Sequence, residues 1–233
     1  KGFFDLYCTQ GPSSTGRFEE LARQHRYFKV VETGWPKLDN FFRHGPVALP
    51  QNKRPTILYC STFTRWITSA PHLFDTIEQL ITRREWDWLL TLHPKSDPAI
   101  VARYSALAER YPNVRFANND DNMALLRQAD AMVCDSSSII VEFMMLDKPV
   151  VTFRNTAPGP HLIDIDRAEK LEQAIETALS RPPALMEAID LYCQTMDPHR
   201  DGRSAERVVE AVEWFLTNWK GKLPRKPLNL FRK

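Results

Sequence analysis

The sequence predicts an α/β protein in which a parallel β-sheet carries helices on both faces. Three observations point there. Short apolar runs alternate with amphipathic stretches in a regular strand–helix–strand rhythm. The runs are continuously apolar, as strands covered on both faces are, and do not alternate with polar residues. The chain is 43% apolar, with 13 Phe, 6 Trp and 6 Tyr among 233 residues, which is enough side chain for a sizeable core.

Residues 4–9 and 28–33 read as strands around a helix over 18–25. A Pro-rich, polar stretch at 43–55 is the linker candidate, and it ends in the breaker Asn52-Lys53-Arg54-Pro55. The clearest strand follows at 56–61. The helix predicted over 70–83 places Leu73, Ile77, Leu80 and Ile81 on one face. A strand at 88–92 stops at His93-Pro94, and a helix over 98–110 stacks Ile100, Val101, Tyr104 and Leu107. Next come a short strand at 114–116 and a short helix at 123–128. The strand at 131–134 runs into Asp135-Ser136-Ser137-Ser138, ahead of an apolar helix over 139–146 and a strand at 149–153. Ser204 reads as the N-cap of a helix to about 219, with Val208, Val212, Phe215 and Trp219 as its apolar stripe. The division expected is a leading segment 1–45, a Rossmann-like domain 46–203, a helix 204–219 and a basic tail 220–233.

Composition excludes several classes. No stretch approaches the ~20 apolar residues of a membrane-spanning helix, and the opening Lys1-Gly2-Phe3-Phe4-Asp5 has no apolar leader. With no initiator Met either, the start is expected to be a trimmed boundary with a further half upstream. Cys8, Cys60, Cys134 and Cys193 form no CxxC pair, so reduced, buried thiols in the cytoplasm are expected. The net charge of +2 is uneven: residues 220–233 hold six Lys/Arg and no acid, leaving 25 basic against 29 acidic residues, a net −4, in the body. A body of that charge does not suit a nucleic acid.

Open parallel sheets bind ligands beyond the carboxyl ends of their strands. Those ends supply Thr62, Phe63 and Arg65, then His93 and Lys95, then Asp135 to Ser138, then Arg154 and Asn155. Three hydroxyl residues opening a helix offer backbone and side-chain donors to a phosphate. Arg65 and Lys95 suit a diphosphate, and His93 a phosphate or sugar. Glu142, a carboxylate in an apolar run, needs a partner such as a ribose hydroxyl or an internal Arg. Walker, GxGxxG, HExxH and GxSxG motifs are absent.

Together these residues resemble the CDP-glycerol glycerophosphotransferase family. Gly34-Trp35-Pro36-Lys37-Leu38-Asp39 is similar to its Gly-x-Pro-Arg-x-Asp, and residues 58–65 to its strand ending in Pro-Thr-aromatic-Arg. Leu92-His93-Pro94 matches its His-Pro, and Asp130 through Ser138 its Ala-Asp…Thr-Asp-Tyr-Ser-Ser. Asp201-Gly202-Arg203-Ser204 resembles the Asp-Gly-x-Ala/Ser before the last helix. The family's His-Gly motif has no counterpart, because His44-Gly45 lies after the Gly-x-Pro segment. The resemblance implies the C-terminal, donor-binding half of a GT-B transferase that builds a cell-surface polymer. It implies catalysis by His93 and Asp135, and donor binding by Thr62, Arg65, Lys95, Ser136, Ser137, Ser138 and Glu142. It implies a nucleotide-activated small molecule as substrate, no metal or other cofactor, and a lipid-linked or polysaccharide acceptor. The acceptor's base would lie in the upstream half. Two alternatives stand beside it: an enzyme like UDP-N-acetylglucosamine 2-epimerase, and a non-catalytic nucleotide-sugar-binding domain. The tail, basic with Leu223, Leu228, Leu230 and Phe231, is expected to reach an anionic membrane surface.

Overall fold

The computed structural model describes residues 3–44, 54–117 and 122–226. The chain divides into two compact units, one of residues 1–46 with 193–233 and one of residues 47–192. The first unit opens with β1 (Leu6–Thr9), α1 (Pro12–His25) and β2 (Lys29–Glu32), the two strands pairing in parallel. Helix α1 starts six residues earlier than the pattern predicts, because Pro12 takes the first helical position, where its missing N–H costs nothing. A single 3-10 turn, Pro36–Leu38, leads into α2 (Asp39–His44). Cys8 is exposed, against expectation, whereas Cys60, Cys134 and Cys193 are buried free thiols. A two-stranded sheet covers too little of its own surface to bury every apolar residue.

The second unit holds β3 (Thr56–Ser61), α3 (Ala70–Arg83), β4 (Asp87–Leu92), α4 (Pro98–Arg110), β5 (Val114–Phe116), α5 (Asn122–Gln128), β6 (Ala131–Cys134), α6 (Ile139–Met144) and β7 (Val150–Phe153). These match the sequence pattern closely. Helix α6 stops two residues short of its predicted end, in a turn that carries Asp147 at φ 55°. The sequence reading assigns no strand or helix between 153 and 204. There the structure adds β8 (Ile163–Ile165), α7 (Leu171–Ser180) and α8 (Pro183–Met196). Strand β8 has only three residues, too few to show a period. The linker candidate largely falls on residues 45–53, outside the described residues.

All six strands are parallel, in the order β5-β4-β3-β6-β7-β8. Every residue of β3 is buried, and Ile57, Leu58, Leu90 and Val133 have no exposed surface. Each such side chain contributes roughly 1.5–3 kcal/mol. The Asp130 carboxylate accepts the Thr56 N–H at 2.8 Å, which fixes the start of β3 beside β6. Lys148 donates to the carbonyls of Leu126, Arg127 and Ala129 at 2.9, 2.7 and 2.6 Å, closing the end of α5. Burial pushes its pKa down to about 8.

The last helix, α9 (Ser204–Asn218), belongs with the N-terminal unit, and so do residues 193–203. The domain expected over 46–203 therefore ends near residue 192. Ser204 is not the N-cap; Arg203 holds that position without a capping side chain. The first free N–H groups of the helix, on Ser204 and Ala205, donate instead to the Asp39 carboxylate at 2.9 and 2.6 Å. Asp39 is buried, and a charged acceptor at a helix N-terminus is favoured by the helix dipole. Backbone must approach closely for this contact. Gly34 (φ 86°) would place a Cβ 2.4 Å from Ser204 Oγ, and Gly202 (φ 73°) would place one 2.8 Å from the Asp39 carbonyl. Asp197 accepts the Trp35 N–H at 3.1 Å, and Arg43 Nε donates to the Gly202 carbonyl at 2.5 Å. The buried face of α9 is Ser204, Ala211 and Phe215, while Val212 lies on the exposed side with Val209 and Leu216. Of the predicted stripe, Val208, Phe215 and Trp219 lie on the inner side, and Ala211 takes the place expected of Val212.

Asp39→Ala removes the acceptor of two helix N–H groups, that of Ser204 buried and that of Ala205 part-buried. The expected loss is about 1–3 kcal/mol of unfolding free energy in a urea titration. A loss below experimental error would show that the clamp is not what holds α9.

Candidate functional site

Strand order locates the site. The chain proceeds from β3 outward through β4 to β5, then returns to the other side of β3 with β6. At such a reversal the loops leaving β3 and β6 diverge, and a crevice opens between their carboxyl ends. Asp135 follows β6 at this point and has no exposed surface. One carboxylate oxygen accepts Ser61 Oγ at 2.6 Å, the Ser69 N–H at 3.0 Å and Ser69 Oγ at 3.2 Å. The Thr62 N–H is shared between both oxygens at 3.1 Å. Ser61 Oγ also meets Thr68 Oγ1 at 2.8 Å, and Tyr59 OH lies 2.9 Å from Ser69 Oγ. Burial drives the Tyr59 hydroxyl well above the usual phenol range, so it stays protonated. The Asp135 carbonyl accepts Asn155 Nδ2 at 3.0 Å, which ties in the loop after β7.

This corrects the catalytic role expected of Asp135. A carboxylate sealed from solvent with four donors on it has no free oxygen for a ligand; it holds the loop after β3 in place. Nor do the three serines simply cap a helix. Ser136 Oγ accepts the Thr156 N–H at 2.9 Å, and Ser138, before α6, makes no side-chain cap. Ser137 is half-buried and Ser138 exposed. Glu142 is buried at 4% exposure on α6, in the interior behind the serine turn and not on the crevice surface.

His93, after β4, is exposed. Its Nδ1 accepts the Lys95 N–H at 3.0 Å, so in the neutral ring the hydrogen sits on Nε2, where it can donate outward. The ring packs on Phe63, centroids 4.3 Å apart, joining the loops after β3 and β4. Lys95 Nζ lies 5.5 Å from the same Phe63 ring. Thr62 is half-buried beside Asp135. Arg65 is exposed and stands apart from this cluster among the described residues, on the same loop as Trp66, 86% exposed. Arg154 turns back, its Nε donating to the Asp166 carbonyl at 2.9 Å. Thus Thr62, Phe63, His93 and Lys95 come together on one side of Asp135, and Ser136, Ser137 and Asn155 on the other. Sequence reasoning missed Ser61, Thr68 and Ser69; the run of small hydroxyl residues around residue 65 was the available signal. Among the described residues no group of three His, Cys, Asp or Glu gathers as a metal set, and no helix is long and apolar enough to cross a membrane.

The profile of the family described as CDP-Glycerol:Poly(glycerophosphate) glycerophosphotransferase matches residues 4–214. The chain belongs to this family. Among its curated relatives is the teichoic acid glycerol-phosphate primase of Bacillus subtilis (strain 168). It is 23% identical over 208 residues, covering 79% of this chain and 51% of the relative. The chain thus spans about half the length of that relative. The wall teichoic acid polymerase TagF superposes with a TM-score of 0.64 at 15% identity, over 92% of this chain and 59% of TagF. TagF has also been solved after a soak with CDPG. A UDP-N-acetylglucosamine 2-epimerase superposes at a TM-score of 0.60 and 17% identity, over 98% of this chain and 61% of its own. At such identities the likeness is one of fold, the α/β sheet of GT-B glycosyltransferases, and the epimerase alternative shares that fold alone. For the glycerophosphotransferase family, motifs and profile agree.

Asp135→Asn would turn an amide N–H₂ toward groups that are themselves donors. The expected cost is about 2–4 kcal/mol in denaturant unfolding, with amide exchange rising across residues 61–69. Unchanged exchange there would refute the positioning role.

Proposed function

We propose that this chain is the donor-binding part of a transferase that moves a polyol-phosphate, or a related group, from a nucleotide-activated donor to a growing cell-surface polymer. The observation that carries the reading is the exposed His93, whose Nδ1 accepts the Lys95 N–H and leaves Nε2 to a ligand, at a strand end linked through Phe63, Thr62 and Asp135 to the serine turn, in a chain of the glycerophosphotransferase family. The donor's diphosphate would lie along Ser136–Ser138 and Thr62, with Arg65 and Lys95 offsetting its charge. In the reaction an acceptor hydroxyl attacks the β-phosphorus. The new P–O bond forms as the bond to the bridging oxygen breaks, and a nucleoside monophosphate leaves with added negative charge. His93 Nε2–H donates to that charge as it grows, an interaction stronger in the transition state than before it. Removal of the acceptor's proton falls to a base outside this unit. Charge is met here by side-chain and backbone donors, which supports a site with no cofactor of its own.

Calorimetry with CMP, CDP, UMP and UDP tests the reading. Binding of a pyrimidine diphosphate is expected, and no binding at millimolar ligand to any of the four would overturn it. Replacing Ser137 and Ser138 together by Ala should weaken that binding by ~1–3 kcal/mol; unaltered affinity would leave them structural. His93→Ala should slow turnover of the active enzyme by about 10²–10³-fold. Nucleotide binding with no turnover in any acceptor assay would favour the non-catalytic reading.

We place the activity at the cytoplasmic face of a membrane, where a lipid-linked acceptor would be met. The described part of the tail folds back: Lys226 pairs with Asp5 at 2.5 Å and donates to the Phe3 carbonyl at 3.0 Å. Residues 227–233 lie outside the described residues. Lys220, Lys222 and Arg225 stay free of ion pairs among the described residues, and Phe3 and Phe4 are exposed. Each such cation near an anionic surface is worth ~1 kcal/mol. Co-sedimentation with anionic vesicles, absent with neutral ones and reduced by removing residues 220–233, is expected. Equal sedimentation with and without the tail would remove it from membrane attachment.

A further inference from the structure

Between the serine turn and the loop that follows β7 lies a cavity of 190 Å³, within the second unit. Its polar lining is Ser136, Ser137, Asn155, Thr156, His161 and Tyr192, and aliphatic side chains close the remainder. No Lys, Arg, Asp or Glu lines it. The wall is built, not incidental. Asn155 is held at both ends of its amide: Nδ2 donates to the Asp135 carbonyl at 3.0 Å, and Oδ1 accepts the Ala157 N–H at 2.8 Å. Thr156 N–H is fixed to Ser136 Oγ at 2.9 Å. The His161 ring lies flat on Tyr192, centroids 3.8 Å apart and planes 11° from parallel. Gly159 makes room for that ring, since a Cβ there would sit 2.6 Å from it.

Size and chemistry narrow the occupant. Pockets that enclose a whole small ligand run to ~300–1,000 Å³. This one is smaller, at 190 Å³, a size that suits a fragment of a ligand. An uncharged lining with hydroxyl and imidazole groups suits a neutral, hydroxyl-bearing fragment. Burial pulls His161 below the usual imidazole range, leaving one donor and one acceptor at neutral pH. Ser136 and Ser137 line this cavity and also belong to the phosphate site proposed above, so the fragment would be joined to that phosphate.

We propose that this cavity receives the hydroxyl-bearing group carried on the donor's distal phosphate, and that His161, stacked on Tyr192, determines which group is accepted. The proposal rests on the donor-binding reading and assigns that reading's specificity to a place in the fold. His161 is a binding residue here, not a catalytic one.

The test compares the 233-residue chain with its His161→Leu and Gly159→Ala variants, titrated with CDP, CDP-glycerol and CDP-ribitol. His161→Leu keeps bulk but removes the polar atoms; Gly159→Ala displaces the ring. Both should lower affinity for at least one CDP-polyol about 3–10-fold, the worth of one neutral hydrogen bond, while CDP changes less than about twofold. Tyr192→Phe, which preserves the stack, should keep the polyol preference. If His161→Leu and Gly159→Ala weaken CDP and both CDP-polyols alike, or weaken none, the cavity's role is overturned and the donor reading stands. If the unaltered chain binds none of the three, the donor reading fails and the proposal falls with it.

Discussion

Asp135 shares its two oxygens among Ser61, Thr62 and Ser69, all across the gap where the sheet reverses direction. A buried carboxylate is costly unless donors surround it, and here they do. The loop after β3 cannot move without leaving that charge unsatisfied. Phe63 is carried on this loop, and His93 packs on Phe63. Through its own carbonyl Asp135 also holds Asn155, which shapes the loop after β7. One residue therefore sets the relation between the ends of β3, β4, β6 and β7. The side chains on the outside are free to be chemistry because the inside is fixed.

The N-terminal unit repeats the device. Asp39 is buried and caps a helix 165 positions away in the chain, and two glycines at positive φ let the backbones approach. Segments that resemble family motifs are thus of two kinds. Gly34 to Asp39 and Asp201 to Ser204 join each other and hold α9. Thr62, His93 and the serines after Asp135 stand at the carboxyl ends of strands. Both kinds need particular residues, and sequence resemblance alone does not separate them; burial and hydrogen-bond partners do.

Much of the second unit was legible in the chain. Strands such as 56–61 are short, continuously apolar and bounded by breakers, and α3 has a clean apolar face. Between Phe153 and Ser204 the signal fades: β8 is a three-residue edge strand, and α8 starts at Pro183 with no capping residue before it. The site was half legible. Strand ends named the loops that Asp135 ties together, and His93 at a strand terminus is exposed, its Nδ1 accepting the Lys95 N–H. The role of Asp135 was not legible, because a carboxylate before three serines looks the same whether it faces ligand or core. Glu142 was read for its chemistry when its place on a short helix put it inside. His161 and Tyr192 lie 31 positions apart with no shared pattern. Only the fold brings them together.

The central claim is that a nucleotide diphosphate lies across the crevice organised by Asp135. Hydrogen–deuterium exchange of the chain, with and without saturating CDP, measures it most directly. The account predicts slower exchange at the amides of 62–69, 93–95 and 136–138 together, with little change in residues 6–32. Protection confined to the N-terminal unit, or none in these three loops at saturation, would contradict it.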